Sequence, residues 1–115
     1  MYNETNIFAK IIIGEIPCKK IYENNYALSF YDINPKAKIH AIVIPKGKYT
    51  DLHDFSANAS NDEQVGFFEV LSKTINILDL KNGSKSICNT GLDGNQEVLH
   101  FHMHLLGGGT IKSLV

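Results

Sequence analysis

Three histidines alternate with apolar residues near the end of this sequence, at positions 100, 102 and 104. Successive side chains of an extended strand point to opposite faces, so His100, His102 and His104 are predicted to share one face, roughly 6.6 Å apart along the strand. The other face would pack into the core, and it would carry Leu99, Phe101, Met103 and Leu105. A row of imidazoles at this spacing is suited to act on one small anionic group or one metal ion.

Imidazoles at this spacing can act on a phosphate group or bind a metal ion. The side chain titrates near pH ~6.5, and neighbouring imidazoles resist simultaneous protonation because like charges repel. A neutral ring can attack phosphorus when its other nitrogen donates to a fixed acceptor, and a protonated neighbour can neutralise phosphoryl oxygens or protonate a leaving group. The same spacing also suits a zinc site, and the residues alone leave both chemistries open.

Further polar candidates lie at strand ends. His40 begins an apolar run rich in Val and Ile, and Asp32 precedes the turn signal Asn34-Pro35. Asp32 is read either as a turn-capping residue or as an acceptor for ligand hydroxyls. The glycine-containing loop at residues 90–95 can bring backbone amides close to a ligand, and no Walker-type or Gly-x-Gly-x-x-Gly phosphate loop is present in the sequence.

Composition restricts the classes of protein to consider. A chain of 115 residues that is 43% hydrophobic fits one domain, residues 1–115. Eleven basic against twelve acidic residues, with no basic block, argue against nucleic-acid or membrane-surface partners. Cys18 and Cys88 form no Cys-x-x-Cys unit, and the first residues are polar, so we expect free thiols in a cytoplasmic, soluble protein.

Capping and turn residues predict the positions of one short helix and of five strands. A helix over residues 7–13 would begin at a Thr5 or Asn6 cap and end at Gly14. Strands are predicted over residues 19–23, 27–31, 40–44 and 84–89, followed by the histidine strand. Residues 50–60 are expected to form an irregular loop with one turn around Asp51 to Asp54.

A long helix is predicted from the capping-box pair Ser60 and Glu63 to about Leu80. Its apolar residues recur at spacings of three and four, which predicts that one stripe packs on the sheet: Val65, Phe68, Leu71, Ile75 and Leu78. Phe67 and Ile77 lie off this stripe, which hints at a second covered surface, such as another subunit.

The segment from His100 to Leu106 matches the His-φ-His-φ-His-φ-φ pattern, with φ hydrophobic, of the histidine triad (HIT) superfamily. Other segments resemble its Hint branch in order and spacing: Ile7-Phe8, Lys10-Ile11, Glu15 to Pro17, Phe30 to Ile33, His40 to Lys46, Asn89, Gly91 and Gly107-Gly108. The resemblance implies an α+β fold, a five-stranded antiparallel sheet with one short N-terminal helix and one long helix. It also implies a homodimer with a continuous ten-stranded sheet.

Hint-like proteins are purine nucleoside phosphoramidases that hydrolyse AMP-NH2 and AMP-lysine-type conjugates. The resemblance implies that His102 is the nucleophile, forming a nucleotidyl-histidine intermediate, that His104 contacts the phosphate, and that His40 and His100 complete the histidine set. It implies that Asp32 accepts the ribose hydroxyls. It assigns the purine to an apolar enclosure and the phosphate to a loop: Ile7, Phe8, Ile11, Phe30 and Ile33 for the base, and Asn89 with the amides around Glu97 and Val98 for the α-phosphate. No cofactor and no catalytic metal are implied.

The sequence departs from close Hint relatives in three places. Glu97 replaces a small hydroxyl residue, the C-terminal residues 110–115 lack an aromatic tail, and Asn6 to Ala9 replaces a Cys-x-x-Cys, so a structural zinc is not expected. A carboxylate at position 97 should repel a phosphate unless it turns away or meets a cationic leaving group. The alternatives are a dinucleoside polyphosphate hydrolase, a nucleotidyl transferase with the same intermediate, and a non-catalytic purine-nucleotide-binding regulatory module.

Overall fold

A computed structural model describes residues 1–112, and the last three residues of the C-terminal tail, 113–115, lie outside the described part. Within it, three helices and five strands follow one another as α1 (Ile7–Ile12), β1 (Lys20–Glu23), β2 (Ala27–Tyr31), β3 (Ile39–Pro45), α2 (Leu52–Asn58), α3 (Asn61–Ile77), β4 (Lys85–Ile87) and β5 (Met103–Gly107). The strands form one antiparallel sheet in the order β1-β2-β3-β5-β4. The predicted α+β class and five-stranded antiparallel sheet are confirmed. None of these helices is both long and apolar enough to cross a membrane.

The pairing of β3 with β5 sets the position of two histidines. His40 lies opposite Leu106, and His104 lies opposite Ile42. The two histidines are therefore diagonal neighbours on one face, a separation that lets their side chains meet although they are 64 positions apart in sequence. β3 is central and almost entirely buried, which agrees with its Val- and Ile-rich composition.

Helix α1 begins and ends close to the predicted residues. The Asn6 side chain accepts a hydrogen bond from the backbone N–H of Ala9 at 2.9 Å, so Asn6 rather than Thr5 is the N-cap. The helix ends at Ile12, and Gly14 follows with φ of 82°, a left-handed conformation that glycine adopts without steric cost.

The prediction of an irregular loop at residues 50–60 is wrong, because the structure has helix α2 there. The predicted turn around Asp51 to Asp54 is the first turn of this helix. Asp51 caps this helix by accepting from the backbone N–H of Asp54 at 2.8 Å. Only Phe55 is buried among its seven residues, where it stacks on Phe101 in the core. A helix of two turns with one buried residue has no repeating apolar pattern, so it cannot be recognised from the sequence.

Helix α3 has the predicted N-terminus, but it ends at Ile77 rather than Leu80. Both capping-box hydrogen bonds form: the Glu63 backbone N–H donates to the Ser60 hydroxyl at 3.1 Å, and the Ser60 N–H donates to the Glu63 carboxylate at 3.0 Å.

The predicted packing face of α3 is correct for Leu71, Ile75 and Leu78, which pack against the core. It is wrong in the first half of the helix, where Phe67, predicted to lie off the stripe, takes the core position. Phe67, Val70 and Thr74 are buried, whereas the side chains of Val65 and Phe68 are 67% and 58% exposed. Gly66 and Thr74, which an apolar pattern does not count, cause this difference between the predicted and the observed face. A Cβ at Gly66 would lie only 2.6 Å from the Tyr26 ring, and the Thr74 hydroxyl is hydrogen-bonded to Ser29 at 2.6 Å. Small and hydrogen-bonded residues can thus take core positions that an apolar count assigns elsewhere.

The histidine segment is only partly a strand. β5 begins at Met103, so His100 and His102 lie in the irregular segment that precedes it. Phe101 and Leu105 are buried in the core as predicted, but Leu99 is 52% exposed. The backbone N–H of Phe101 donates to the carbonyl of Tyr49 at 2.8 Å instead of to a neighbouring strand.

Candidate active site

A cavity of about 690 Å³ opens beside α1, on the face of the sheet opposite α3. Its volume is typical of small-molecule sites. All but one of the residues predicted for the site line it: Ile7, Phe8, Ile11, Phe30, Asp32, Ile33, His40, Asn89, Glu97, Val98, His102 and His104. The exception is His100. The cavity also has lining residues that were not predicted as site residues: Ile16, Pro17, Cys18, Tyr31, Asn34, Lys36, Ile42, Lys85, Ile87, Asn95, Leu106 and Ile111.

The apolar wall of the cavity is built by α1 and β2. Phe8 packs on Phe30 with ring centroids 5.9 Å apart, and it meets the ring of His102 edge-on at 4.9 Å. Ile7 and Ile33 are more exposed and form the rim. A flat apolar ligand on this wall would therefore lie next to the histidines.

His102 is held with a defined arrangement of its ring nitrogens. Its Nδ1 lies 2.7 Å from the carbonyl oxygen of His100, and a carbonyl can only accept, so Nδ1 carries the proton. In the neutral ring Nε2 then has a free lone pair. Burial is the main cause that lowers the pKa of His102 below its ordinary value, so the ring is uncharged at pH 7. These are the properties that a nitrogen nucleophile needs.

His40 and His104 form a second, directly hydrogen-bonded pair. The backbone N–H of Lys36 donates to Nδ1 of His40 at 2.9 Å, so the proton of the neutral His40 ring is on Nε2. That Nε2 lies 2.9 Å from Nδ1 of His104 and 3.3 Å from the carboxylate of Asp32. His104 therefore accepts at Nδ1 and carries its own proton on Nε2, and burial lowers the pKa of both rings. One cavity thus contains a lone pair on His102 and an N–H donor on His104.

The prediction that three histidines share one polar face is wrong for His100. Its side chain is fully buried and lies outside the cavity, because the chain is irregular over residues 98–102 and does not alternate like a strand there. His100 donates from Nε2 to the carbonyl of Pro45 at 2.8 Å, and it accepts at Nδ1 from the hydroxyl of Tyr2 at 2.6 Å. Burial lowers the pKa of His100 to about 4. The ring supports the site from behind and stays neutral.

Tyr2 is a residue that the sequence reading missed. It is half-buried, and its ring meets the ring of His100 edge-on at a centroid distance of 5.6 Å. Glu4, two residues later, forms an exposed ion pair with Lys48. A tyrosine in a polar N-terminal segment carries no periodicity, so no signal in the sequence could have located this contact.

The loop between β4 and β5 closes one side of the cavity. Gln96 organises it: the side-chain amide donates to the carbonyls of Thr50 and Val98 at 2.7 and 2.9 Å, and its oxygen accepts from the N–H of Gly91 at 3.0 Å. Asn89 donates to the carbonyl of Gly94 at 2.8 Å across the same loop. The backbone around residues 94–98 is therefore held in one position.

One group in residues 1–112 has donor atoms close enough to share a metal ion. The ligand atoms of Asp32, His40 and His104 all lie within 4.8 Å of one another. Imidazole nitrogens with a carboxylate oxygen suit zinc. In the observed arrangement the two nitrogens face each other across a proton, which a metal ion would have to displace.

Comparisons with known proteins agree with this geometry. The HIT domain family model matches residues 13–111. An uncharacterised 13.2 kDa HIT-like protein of Azospirillum brasilense is 43% identical over 115 residues, which cover 99% of this chain and 94% of that protein. A HIT family hydrolase from Clostridium thermocellum has a TM-score of 0.85 at 33% identity and covers 97% of this chain and 99% of its own.

A histidine triad nucleotide-binding protein from Candida albicans is similar too, with a TM-score of 0.78 at 31% identity over 96% of this chain and 86% of that one. The family model spans most of the sequence, and the relatives are matched over nearly their whole length. The chain therefore belongs to the HIT family.

Proposed function

We propose that this protein is a nucleotide hydrolase that cleaves the P–N bond of purine nucleoside 5'-phosphoramidates, in the manner of the Hint branch. The observation that carries the proposal is the 2.7 Å hydrogen bond from Nδ1 of His102 to the carbonyl of His100. The ring is then neutral, and Nε2 has a free lone pair in a cavity large enough for a nucleotide.

The reaction would run in two steps. Nε2 of His102 attacks phosphorus, the bond from phosphorus to the amine breaks, and the amine leaves with a proton taken from the site. The N–H of His104 donates to a phosphoryl oxygen and stabilises the charge that develops there. A water molecule then attacks phosphorus, returns one proton to the site and displaces His102, so one water is consumed and the nucleoside monophosphate and the amine are released.

The substrate would lie across the cavity in a defined order. The wall of Phe8 and Phe30 would take the purine. Asp32 would accept the ribose hydroxyls. One of its carboxylate oxygens accepts from the N–H of Asn34 at 2.8 Å, which fixes its orientation. Asn89 and the backbone at residues 97–98 would hold the α-phosphate.

We also propose that two copies pair through α3 and an edge strand to give a ten-stranded sheet. The helix presents three exposed apolar side chains, which a partner would cover: Val65, Phe68 and Ile77.

We place the protein in the cytoplasm. Its two cysteines, Cys18 and Cys88, are free thiols, as expected in a reducing compartment.

The test is mass spectrometry of the protein quenched during turnover of an adenosine 5'-phosphoramidate. We expect an added adenylyl group on His102. We also expect His102→Ala to lower kcat/KM by about 10³-fold or more while the variant remains folded. The matched control is His53→Ala, which removes an exposed histidine of α2 that does not line the cavity.

Near-normal turnover by His102→Ala, or an adduct on another residue, would contradict the proposal. AMP binding without turnover of any phosphoramidate would indicate a regulatory module. Faster cleavage of dinucleoside polyphosphates would indicate the alternative hydrolase. Stoichiometric zinc in the purified protein, with activity lost on chelation, would indicate metal catalysis at Asp32, His40 and His104.

A further inference from the structure

Two carboxylates line the cavity, those of Asp32 and Glu97. The proposed reaction assigns Asp32 to the ribose and gives the Glu97 carboxylate no role. This carboxylate lines the cavity together with His102 and His104, and its charge acts on both rings in the direction that raises their pKa. The side chain is exposed, and it makes no hydrogen bond or ion pair with another residue of the described range 1–112. A ligand in the cavity would therefore meet an unmatched negative charge.

The position of Glu97 is fixed by its neighbours in sequence. Gln96 is held through three hydrogen bonds that join the loop to Thr50, Val98 and Gly91. Val98 packs against the apolar cluster that contains Phe8. The backbone on both sides of Glu97 is thus ordered, and the carboxylate belongs to the wall of the cavity rather than to a mobile loop tip.

The unmatched charge restricts which substrates fit. The phosphate of a nucleotide is anionic, and a carboxylate beside it lowers affinity unless a positive charge lies between the two groups. Lys36 and Lys85 also line the cavity, but His102 and His104 are neutral at pH 7 because burial lowers their pKa. The two histidines that line the cavity with Glu97 therefore supply no charge that offsets it.

One part of the substrate has no binding partner in this assignment. In the proposed function the apolar wall takes the base, Asp32 takes the ribose, and the histidines take the phosphate. The remaining part is the leaving amine, which must lie beside the phosphate. The Glu97 carboxylate is the negatively charged group of the wall that has no assigned part of the substrate, and it lines the same cavity as the phosphate-binding histidines.

We propose that Glu97 is a specificity residue that selects phosphoramidates whose leaving group carries a positive charge, such as an aminoalkyl amine. This inference rests on the proposed function and names its substrate class more narrowly. An ammonium group on the leaving amine would pair with Glu97 and reduce the repulsion between that carboxylate and the phosphate.

The test compares two adenosine 5'-phosphoramidates of equal chain length, one made from butylamine and one from 1,4-diaminobutane. The second carries a free ammonium group and the first does not. We expect the protein to cleave the charged substrate with a kcat/KM about 10-fold higher, the effect of one charge-assisted contact. In Glu97→Gln this ratio should fall to about one, and cleavage of the uncharged substrate should rise because the repulsion is gone.

The matched control is Asp93→Asn. Asp93 is an exposed carboxylate in the same loop that does not line the cavity, so this variant should keep the preference of the unmodified protein. Raising the salt concentration should reduce the preference in the unmodified protein and leave the ratio in Glu97→Gln unchanged.

Three outcomes would overturn the inference: equal cleavage of both substrates by the unmodified protein, the same preference in Glu97→Gln, or equal losses for both substrates in that variant. Each of them is compatible with turnover through His102, so the proposed function would stand. The proposed function fails on a different result, which is the absence of cleavage and of a His102 adduct with either substrate.

Discussion

Single hydrogen bonds decide what each histidine of this site can do. The carbonyl of His100 places the proton of His102 on Nδ1, and the N–H of Lys36 places the proton of His40 on Nε2. His40 then donates to His104. The four rings are chemically alike in sequence, but His102 offers a lone pair and His104 offers an N–H. The His40 ring holds His104, and the His100 ring is held by Tyr2 and Pro45.

The contact between Tyr2 and His100 allows a test at this scale. Tyr2→Phe keeps the edge-on ring packing and removes the hydroxyl that donates to Nδ1 of His100 at 2.6 Å. The buried ring nitrogen then has no donor, so we expect the free energy of unfolding to fall by about 1 to 2 kcal/mol. Urea denaturation measures this change, and the nitrogen chemical shifts of His100 report whether its tautomer is still fixed.

Tyr26→Phe is the matched control for that experiment. Tyr26 packs its ring on α3 at Gly66, and its hydroxyl makes no hydrogen bond within residues 1–112. Its loss should change the free energy of unfolding by less than about 0.5 kcal/mol. Equal effects in the two variants, with an unchanged His100 spectrum, would show that the Tyr2 hydroxyl does not hold the histidine.

At the scale of elements, the two faces of the sheet have separate tasks. Helix α3 packs on one face through Phe67 and Val70, and α1 packs on the other through Phe8, where the cavity lies. Because α3 covers the sheet with one side only, its opposite side is left to solvent or to a partner. The helix that completes the core is therefore also the element with an unpartnered apolar surface.

Phe68→Glu tests whether that surface joins two copies. The side chain is 58% exposed, and burying a carboxylate between two apolar helix faces is unfavourable. We expect the dimer dissociation constant, measured by analytical ultracentrifugation, to rise by about 10-fold or more while the fold is retained.

Ile13→Glu places the same charge at an apolar residue that is 68% exposed beside α1, on the opposite side of the sheet. This control variant should sediment like the unmodified protein. The proposed pairing would be wrong if Phe68→Glu remained dimeric, or if the unmodified protein sedimented as a monomer at micromolar concentration.

For the whole molecule, the buried histidines couple folding to pH. Burial lowers the pKa of His100 to about 4, and it also lowers those of His40, His102 and His104, whereas the unfolded chain has histidines near 6.5. Between pH ~6.5 and ~4 the unfolded state binds more protons than the folded state, so stability falls as the pH falls. The shifted pKa of His100 alone accounts for a loss of about 3 kcal/mol in the free energy of unfolding once the pH is below both pKa values.

Urea denaturation at pH 7.5, 6 and 5 measures this coupling. The carboxylates of Glu23, Asp54 and Glu63 also have lowered pKa values, but their ordinary pKa values are 4.5 or below. The loss of stability between pH ~6.5 and ~5 therefore belongs to the histidines. A free energy of unfolding that does not change from pH 7.5 to 5 would show that these rings take up protons in the folded protein.

Local patterns in the sequence were sufficient for much of the fold. Strand β2, the capping box of Ser60 and Glu63, and the cap of α1 at Asn6 depend on residues close together in the chain, and all were predicted. The spacing of His102 and His104 likewise placed both in a candidate site, because a two-residue period is a local property. Helix α2 was missed because its single buried residue forms no period.

Tertiary structure alone decided the rest. Tyr2 meets His100 across 98 residues, and His40 meets His104 across 64, contacts that depend on strand order and not on any local period. It also decided which side of α3 is buried, since Gly66 and Thr74 gain their core positions only through Tyr26 and Ser29. Sequence alone thus determined the family pattern and the local elements. The protonation state of each ring and the place of His100 outside the cavity required the folded chain, because burial and hydrogen-bond partners exist only there.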